Sequence, residues 1–140
     1  MPRIAIFNLL FGFLAIFLSV CAGFFVAFDA EKAFLINKEI LSSWQFVLMK
    51  SAHGHLSLYG FLHITTGLSL PYSELSHRWK FAQTLGLSLG TFAMGALMFL
   101  RSLQGASEGG VLANAIGIFL ACSLGSLLLH CYGLGRKLMR

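Results

Sequence analysis

The sequence predicts an all-α fold, an integral membrane four-helix bundle in up-down-up-down order. Composition is the first reason: of 140 residues, 57% are hydrophobic and only 11% are charged. A soluble domain of this size exposes too large a share of its atoms to carry so much apolar surface, so the excess points to lipid. Pattern is the second reason. Four stretches, at about residues 4–28, 46–70, 81–103 and 111–132, reach the roughly 20 apolar residues that a spanning helix needs. The third is the placement of charge: no charged side chain interrupts the first or third stretch before its end, and only Lys50 enters the second. Burying a Lys, Arg or Asp at the bilayer centre costs on the order of 3 kcal/mol, so this avoidance is selective.

The first stretch reads as a retained helix rather than a cleaved leader, because its apolar run far exceeds the roughly 7 to 15 residues of a signal core. Leu18-Ser19-Val20-Cys21 also lacks the small residue that should precede a lipoprotein cysteine. The connection from about Asp29 to Gln45 is the longest, and a short surface helix is expected near Lys32 to Leu41. Pro71, Tyr72 and Ser73 end the second stretch. The third carries Gly86 and Gly90 at i, i+4, and the fourth carries Gly117, Ala121 and Gly125. Such ridges let helices approach closely where no hydrophobic effect draws them together. Ser107, Glu108, Gly109 and Gly110 read as a tight turn before the fourth stretch. No boundary divides the chain, which reads as one four-span domain over residues 1–140.

Charge sets an expected orientation. Arg3, Arg78, Lys80, Arg136, Lys137 and Arg140 fall on the side that holds both ends of the chain, against Lys32, Lys38, Lys50 and Arg101 on the other. The positive-inside rule then places both termini in the cytoplasm, as in a bacterial inner membrane. The net charge of +5 follows from this arrangement and from attraction to anionic headgroups, and is no nucleic-acid signal. Trp44, Tyr72, Trp79 and Tyr132 sit at span ends, where amphipathic rings anchor. Cys21, Cys122 and Cys131 lie in apolar sequence without metal or disulfide spacing.

The chemistry lies in the histidines. His77 belongs with Arg78 to a connection, but His53, His55, His63 and His130 fall within or beside spans two and four. Ionisable groups are expensive there, and imidazole is the commonest metal ligand, so these four are candidate ligands of a haem or a metal. Hydrogen bonding across helices competes with that reading. On a regular helix His53 and His55 point ~160° apart, and His55 lies ~12 Å along the axis from His63. His55 therefore belongs near one end of the span, His63 near its middle and His130 towards the other end. Met98 on the third span falls at about the depth of His55, where a thioether suits haem iron or copper(I). Lys50 and Arg101 sit at the same edge, placed for haem propionates or for lipid headgroups.

The segment from His53 to Phe61, with its pattern H-x-H-x-x-L-x-G, resembles the second helix of haem-copper oxidase subunit I and of small membrane proteins like a fragment of that subunit. The resemblance implies that His55, or failing it His53, ligates a b-type haem. It does not extend to oxygen reduction, since the three later histidines of the copper site have no counterpart here.

Three functions follow as expectations. The first is a haem b protein carrying electrons, alone or as a small subunit of a respiratory-type complex. The second is a cofactor-free accessory subunit of a larger membrane complex, and the third a copper-binding membrane protein. The expected partners are the lipid bilayer and either further copies or other membrane subunits, with no nucleic acid. Neither a Ser-His-Asp grouping, paired carboxylates, a phosphate loop nor H-E-x-x-H occurs, so no independent catalytic activity is expected.

Overall fold

A computed structural model describes residues 1–36, 38–106 and 110–139, the side chain of Lys38 excepted. Four long helices dominate it: α1 (Arg3–Ile36), α2 (Trp44–Ser69), α3 (His77–Ser102) and α4 (Val111–Leu138). Short 3-10 turns, Lys38–Ser42 and Leu70–Tyr72, lead into and out of α2. The expected turn at Ser107, Glu108 and Gly109, and the charge of Arg140, lie outside the described residues. Gly110, at φ +100°, starts α4 in a conformation that side chains disfavour.

Three of these helices, α1, α3 and α4, are long and apolar enough to cross a membrane. The second predicted span, α2, has the length, 26 residues, but falls short of the other three in hydropathy. Its interior-facing side chains explain the shortfall, because His63 and Thr66 are buried and Tyr59, His53 and Ser69 all bond to other helices. The surface helix expected at Lys32 to Leu41 is also revised. Instead α1 runs on to Ile36, well past the predicted end at Phe28, and Lys32 lays its ammonium over the Phe28 ring, 4.4 Å from the centroid.

Small residues set the packing. On α1 the buried positions Ala5, Gly12, Ser19, Val26 and Ala33 recur every seventh residue, with Asn8 and Ala15 between them. That stripe lies on α2 in antiparallel order. Gly67 meets the Ala5 carbonyl, Gly60 meets that of Gly12, and Gly23 meets the His53 ring. A seven-residue repeat keeps one seam in register along two helices. On α3, Gly86 and Gly90 fit against Ser126 and Ser123 of α4, as the ridge on the third span predicts. The ridge on the fourth does not serve this contact: a side chain at Gly117 or Gly125 would meet nothing within 4 Å. Ser123, Ser126 and Gly133 are the buried positions of α4.

The apolar centre is Tyr59, Leu87 and Met94, with Met98, Leu120 and Leu127 packed around it. Inside α3, residues Ala93–Leu97 form a π turn, a distortion of the helical ladder that frequently marks a functional position. At the end of the bundle near Ser69, Glu74 donates its backbone N–H to the Gly133 carbonyl at 2.9 Å, and Lys137 reaches Glu74 at 3.7 Å.

Candidate cofactor-binding site

The four candidate histidines of the sequence do not converge. His63 is fully buried, and both ring nitrogens are occupied: Nδ1 lies 2.8 Å from Asn8 Oδ1 and Nε2 lies 3.1 Å from Thr91 Oγ1. Asn8 spends its amide hydrogens on the Ile4 carbonyl and on Thr84 Oγ1 at 2.8 Å, which leaves Oδ1 to accept from the His63 N–H. His63 thus joins α1, α2 and α3, with the Phe11 ring 4.6 Å away.

His130 is held in a similar way at the other end. Gln83 donates to Nδ1 at 2.7 Å, so Nε2–H donates to Ser69 Oγ at 2.8 Å, and Ser69 in turn donates to the Thr65 carbonyl. The amide oxygen of Gln83 is buried without a hydrogen-bond partner among the described residues. Replacing Gln83 by leucine removes that orphan but strips His130 of a donor. The two effects offset, and the variant is expected to stay within about 1 kcal/mol of wild type in a detergent melt. With their nitrogens engaged, neither His63 nor His130 presents a lone pair to a haem between them.

His53 and His55 are arranged differently. His53 Nδ1–H points at the Ser19 carbonyl, 2.8 Å away, and Ser19 returns its hydroxyl to the His53 carbonyl at 2.7 Å. Ser57 completes the knot by contacting Ser19 Oγ at 2.6 Å. His55 Nδ1–H donates to the carbonyl of Ser51, one turn earlier, at 2.8 Å. A carbonyl accepts only, so the neutral form of each ring carries its proton on Nδ1 and leaves Nε2 as an acceptor. Among the described residues neither Nε2 has a protein partner. This is the usual state of a ligating imidazole, whose other N–H is fixed by a carbonyl.

Both rings border one groove of ≈ 890 Å³ between α1 and α2 at the end of the bundle near Trp44. Its floor is Gly54, where an added Cβ would meet nothing within 4 Å. His53 and His55 flank that floor, the facing α1 wall is low because it is built from Gly23, Ala27 and Ala30, and Lys50 and Ser51 supply polar groups on α2. Lys50 therefore stands where an anionic substituent could be met. Arg101 does not. It is 6% exposed, donates to Gln104 and the Gly105 carbonyl, and lies over the Trp44 ring at 5.1 Å. Met98 is separated from the groove as well, since it packs on the Tyr59, Leu87 and Met94 core.

Among the described residues no group of three or more His, Cys, Asp or Glu side chains is arranged to hold a metal ion. A bare ion needs such a cage, whereas a haem brings four nitrogens of its own and asks the protein for one or two ligands. The groove suits the second requirement.

Sequence reasoning missed the residues that sort the histidines: Ser19, Asn8, Thr91 and Gln83. Asn8 and Ser19 do have a signal, as the polar members of the seven-residue stripe on α1. Thr91 and Gln83 lie on α3 without any pattern that separates them from surface polar residues. Comparison with protein families, with curated proteins and with solved structures gives no match to this chain.

Proposed function

We propose that the chain is a membrane-embedded b-type haem protein that carries electrons, alone or as a small subunit of a respiratory-type complex. Its four helices cross the bilayer up-down-up-down, with both termini on the cytoplasmic side. Membrane residence is supported by the wide apolar faces left uncovered on α1 and α4, including Phe13, Phe17 and Phe24 on the first and Ile118, Leu124 and Leu128 on the second. Patches of this extent are unfavourable in water and neutral in lipid.

The observation that carries the haem reading is His55: its Nδ1–H is fixed on the Ser51 carbonyl, and the residue lines a groove beside Gly54. His55 would be the residue that holds the haem iron, and Lys50 would pair with a propionate. The bound haem would supply the one-electron couple. The chain itself would orient the imidazole, keep water from the apolar wall and neutralise the propionate.

The test is spectroscopic. Titrating the purified protein with haemin in detergent should give a Soret band and a reduced-minus-oxidised b-type spectrum. His55→Ala should lower haem occupancy at least about tenfold, while His130→Ala should leave it unchanged. A wild-type preparation that takes up no haem, or equal spectra in wild type and His55→Ala, would overturn the proposal. Metal analysis of the same pair of proteins separates the copper reading, which loses Met98 as a ligand. An accessory subunit without cofactor is favoured by one feature only, the uncovered Gly117, Ala121 and Gly125 ridge, and it predicts a colourless protein.

A further inference from the structure

A second cavity, separate from the groove, lies between α1, α2 and α3. It is a cleft of ≈ 730 Å³ whose wall includes Phe25, Phe92 and Phe99, and on α3 it follows the π turn at Gly95 and Ala96. Along α1 it extends from Phe11 to Asp29, about 27 Å at 1.5 Å per residue. Its walls are apolar, and few polar groups break them. Asp29 is at the mouth, Thr91 is near the far end with its hydroxyl engaged by Leu87 and His63, and His53 stands in the partition shared with the groove. Of these, His53 lies within the cleft wall, and its Nε2 has no protein partner among the described residues.

Depth decides what kind of molecule this suits. His53 is nine residues beyond Trp44, about 13 Å along the helix axis. With Trp44 at the interface, that distance passes the headgroup layer, roughly 6 Å thick on each side, and enters hydrocarbon. A phospholipid keeps its ester and headgroup oxygens at the interface, so its acyl chain would bring nothing to bond to this nitrogen. A lipid-soluble molecule with a polar ring that itself resides in the hydrocarbon would. Because Nε2 accepts, the ring must donate.

We propose that this cleft binds a lipid-soluble quinol, one ring hydroxyl donating to His53 Nε2 and the isoprenoid tail lying along α1 and the π turn. The π turn serves this site by presenting Gly95 and Ala96, two small residues, between Phe92 and Phe99, so that a long apolar body can enter from the lipid side. The proposal rests on the membrane reading above but not on the haem.

Photolabelling in lipid nanodiscs tests it, with an azido-quinol bearing a ten-carbon tail as the probe. The label is expected on peptides covering Leu14 to Asp29 and the π turn, and a decyl-tailed benzoquinol should compete it away. Ala96→Trp, which fills the cleft from an exposed position, should weaken labelling at least tenfold without changing helix content or the haem spectrum. Ala22→Phe on the opposite wall should do the same, and His53→Phe should remove the advantage of the quinol over decylbenzene, which has the tail but no hydroxyl. Equal competition by decylbenzene in wild type would make the cleft an acyl-chain site and overturn the proposal. So would labelling insensitive to both wall variants, or a cleft closed by a second copy, seen as labelling that disappears as the chain dimerises. A colourless protein that still binds the quinol would sink the haem reading alone.

Discussion

Gly60→Val is expected to separate α1 from α2 and to destabilise the protein by about 3 kcal/mol, the upper end of overpacking costs. A Cβ at Gly60 would stand 2.6 Å from Ile16 Cγ1, 2.9 Å from the Gly12 carbonyl oxygen and 3.2 Å from the Ile16 nitrogen. A side chain can rotate away, but the two backbone atoms cannot. The helices must move apart, and this is the most extensive helix pair in the molecule. Gly12→Val should behave alike, because its Cβ would lie 2.7 Å from the Gly60 carbonyl oxygen. The control is Gly125→Ala, where an added Cβ meets nothing within 4 Å; relief of the glycine helix penalty, up to about 1 kcal/mol, should make it neutral or slightly stabilising. Denaturant or thermal melts in detergent compare the three. If Gly60→Val melts with Gly125→Ala, the α1 and α2 seam is not packed as described.

That seam also marks what a reader of the sequence can and cannot obtain. The existence and approximate bounds of four helices follow from apolar length, and the helix α2 begins and ends within two residues of the predicted span. Hydropathy misleads about α2 itself, because the same polar residues that lower its apolarity are the ones bonded inside the bundle. The ridge on α3 is legible, since Gly86 and Gly90 have nothing else to do in a helix. The ridge on α4 is equally visible in the sequence and yet faces away from the other helices, because spacing gives a face but not what the face meets. The π turn leaves no trace in periodicity at all. Among the histidines, spacing separates His55 from His63 along the axis. It gives no account of ring nitrogens, which depend on a serine carbonyl in one case and on an asparagine 55 residues away in the other.

His63, a candidate ligand in the sequence, is bonded instead within the helix packing, to Asn8 of α1 and Thr91 of α3. Asn8→Leu is expected to cost about 2 kcal/mol, because it leaves the buried His63 N–H without an acceptor and removes the bond to Thr84. The double variant Asn8→Leu with His63→Phe should be less destabilised than the sum of its two single variants, by about 1 kcal/mol, since removing both partners of a buried hydrogen bond also removes the unsatisfied group. Thr91 loses little in that background, because its hydroxyl already reaches the Leu87 carbonyl at 3.0 Å. Additive losses would mean that the Asn8 and His63 side chains do not bond. The same series tests the haem proposal: if His55 holds a haem, these variants change stability and leave haem occupancy unchanged, whereas a ligating His63 would lose the haem spectrum at full helix content. Asn8 lies 11 residues from Ser19 along α1, and His63 lies six residues from Ser57 along α2, about 9 Å along the axis, so substitutions in the two polar clusters should add when combined.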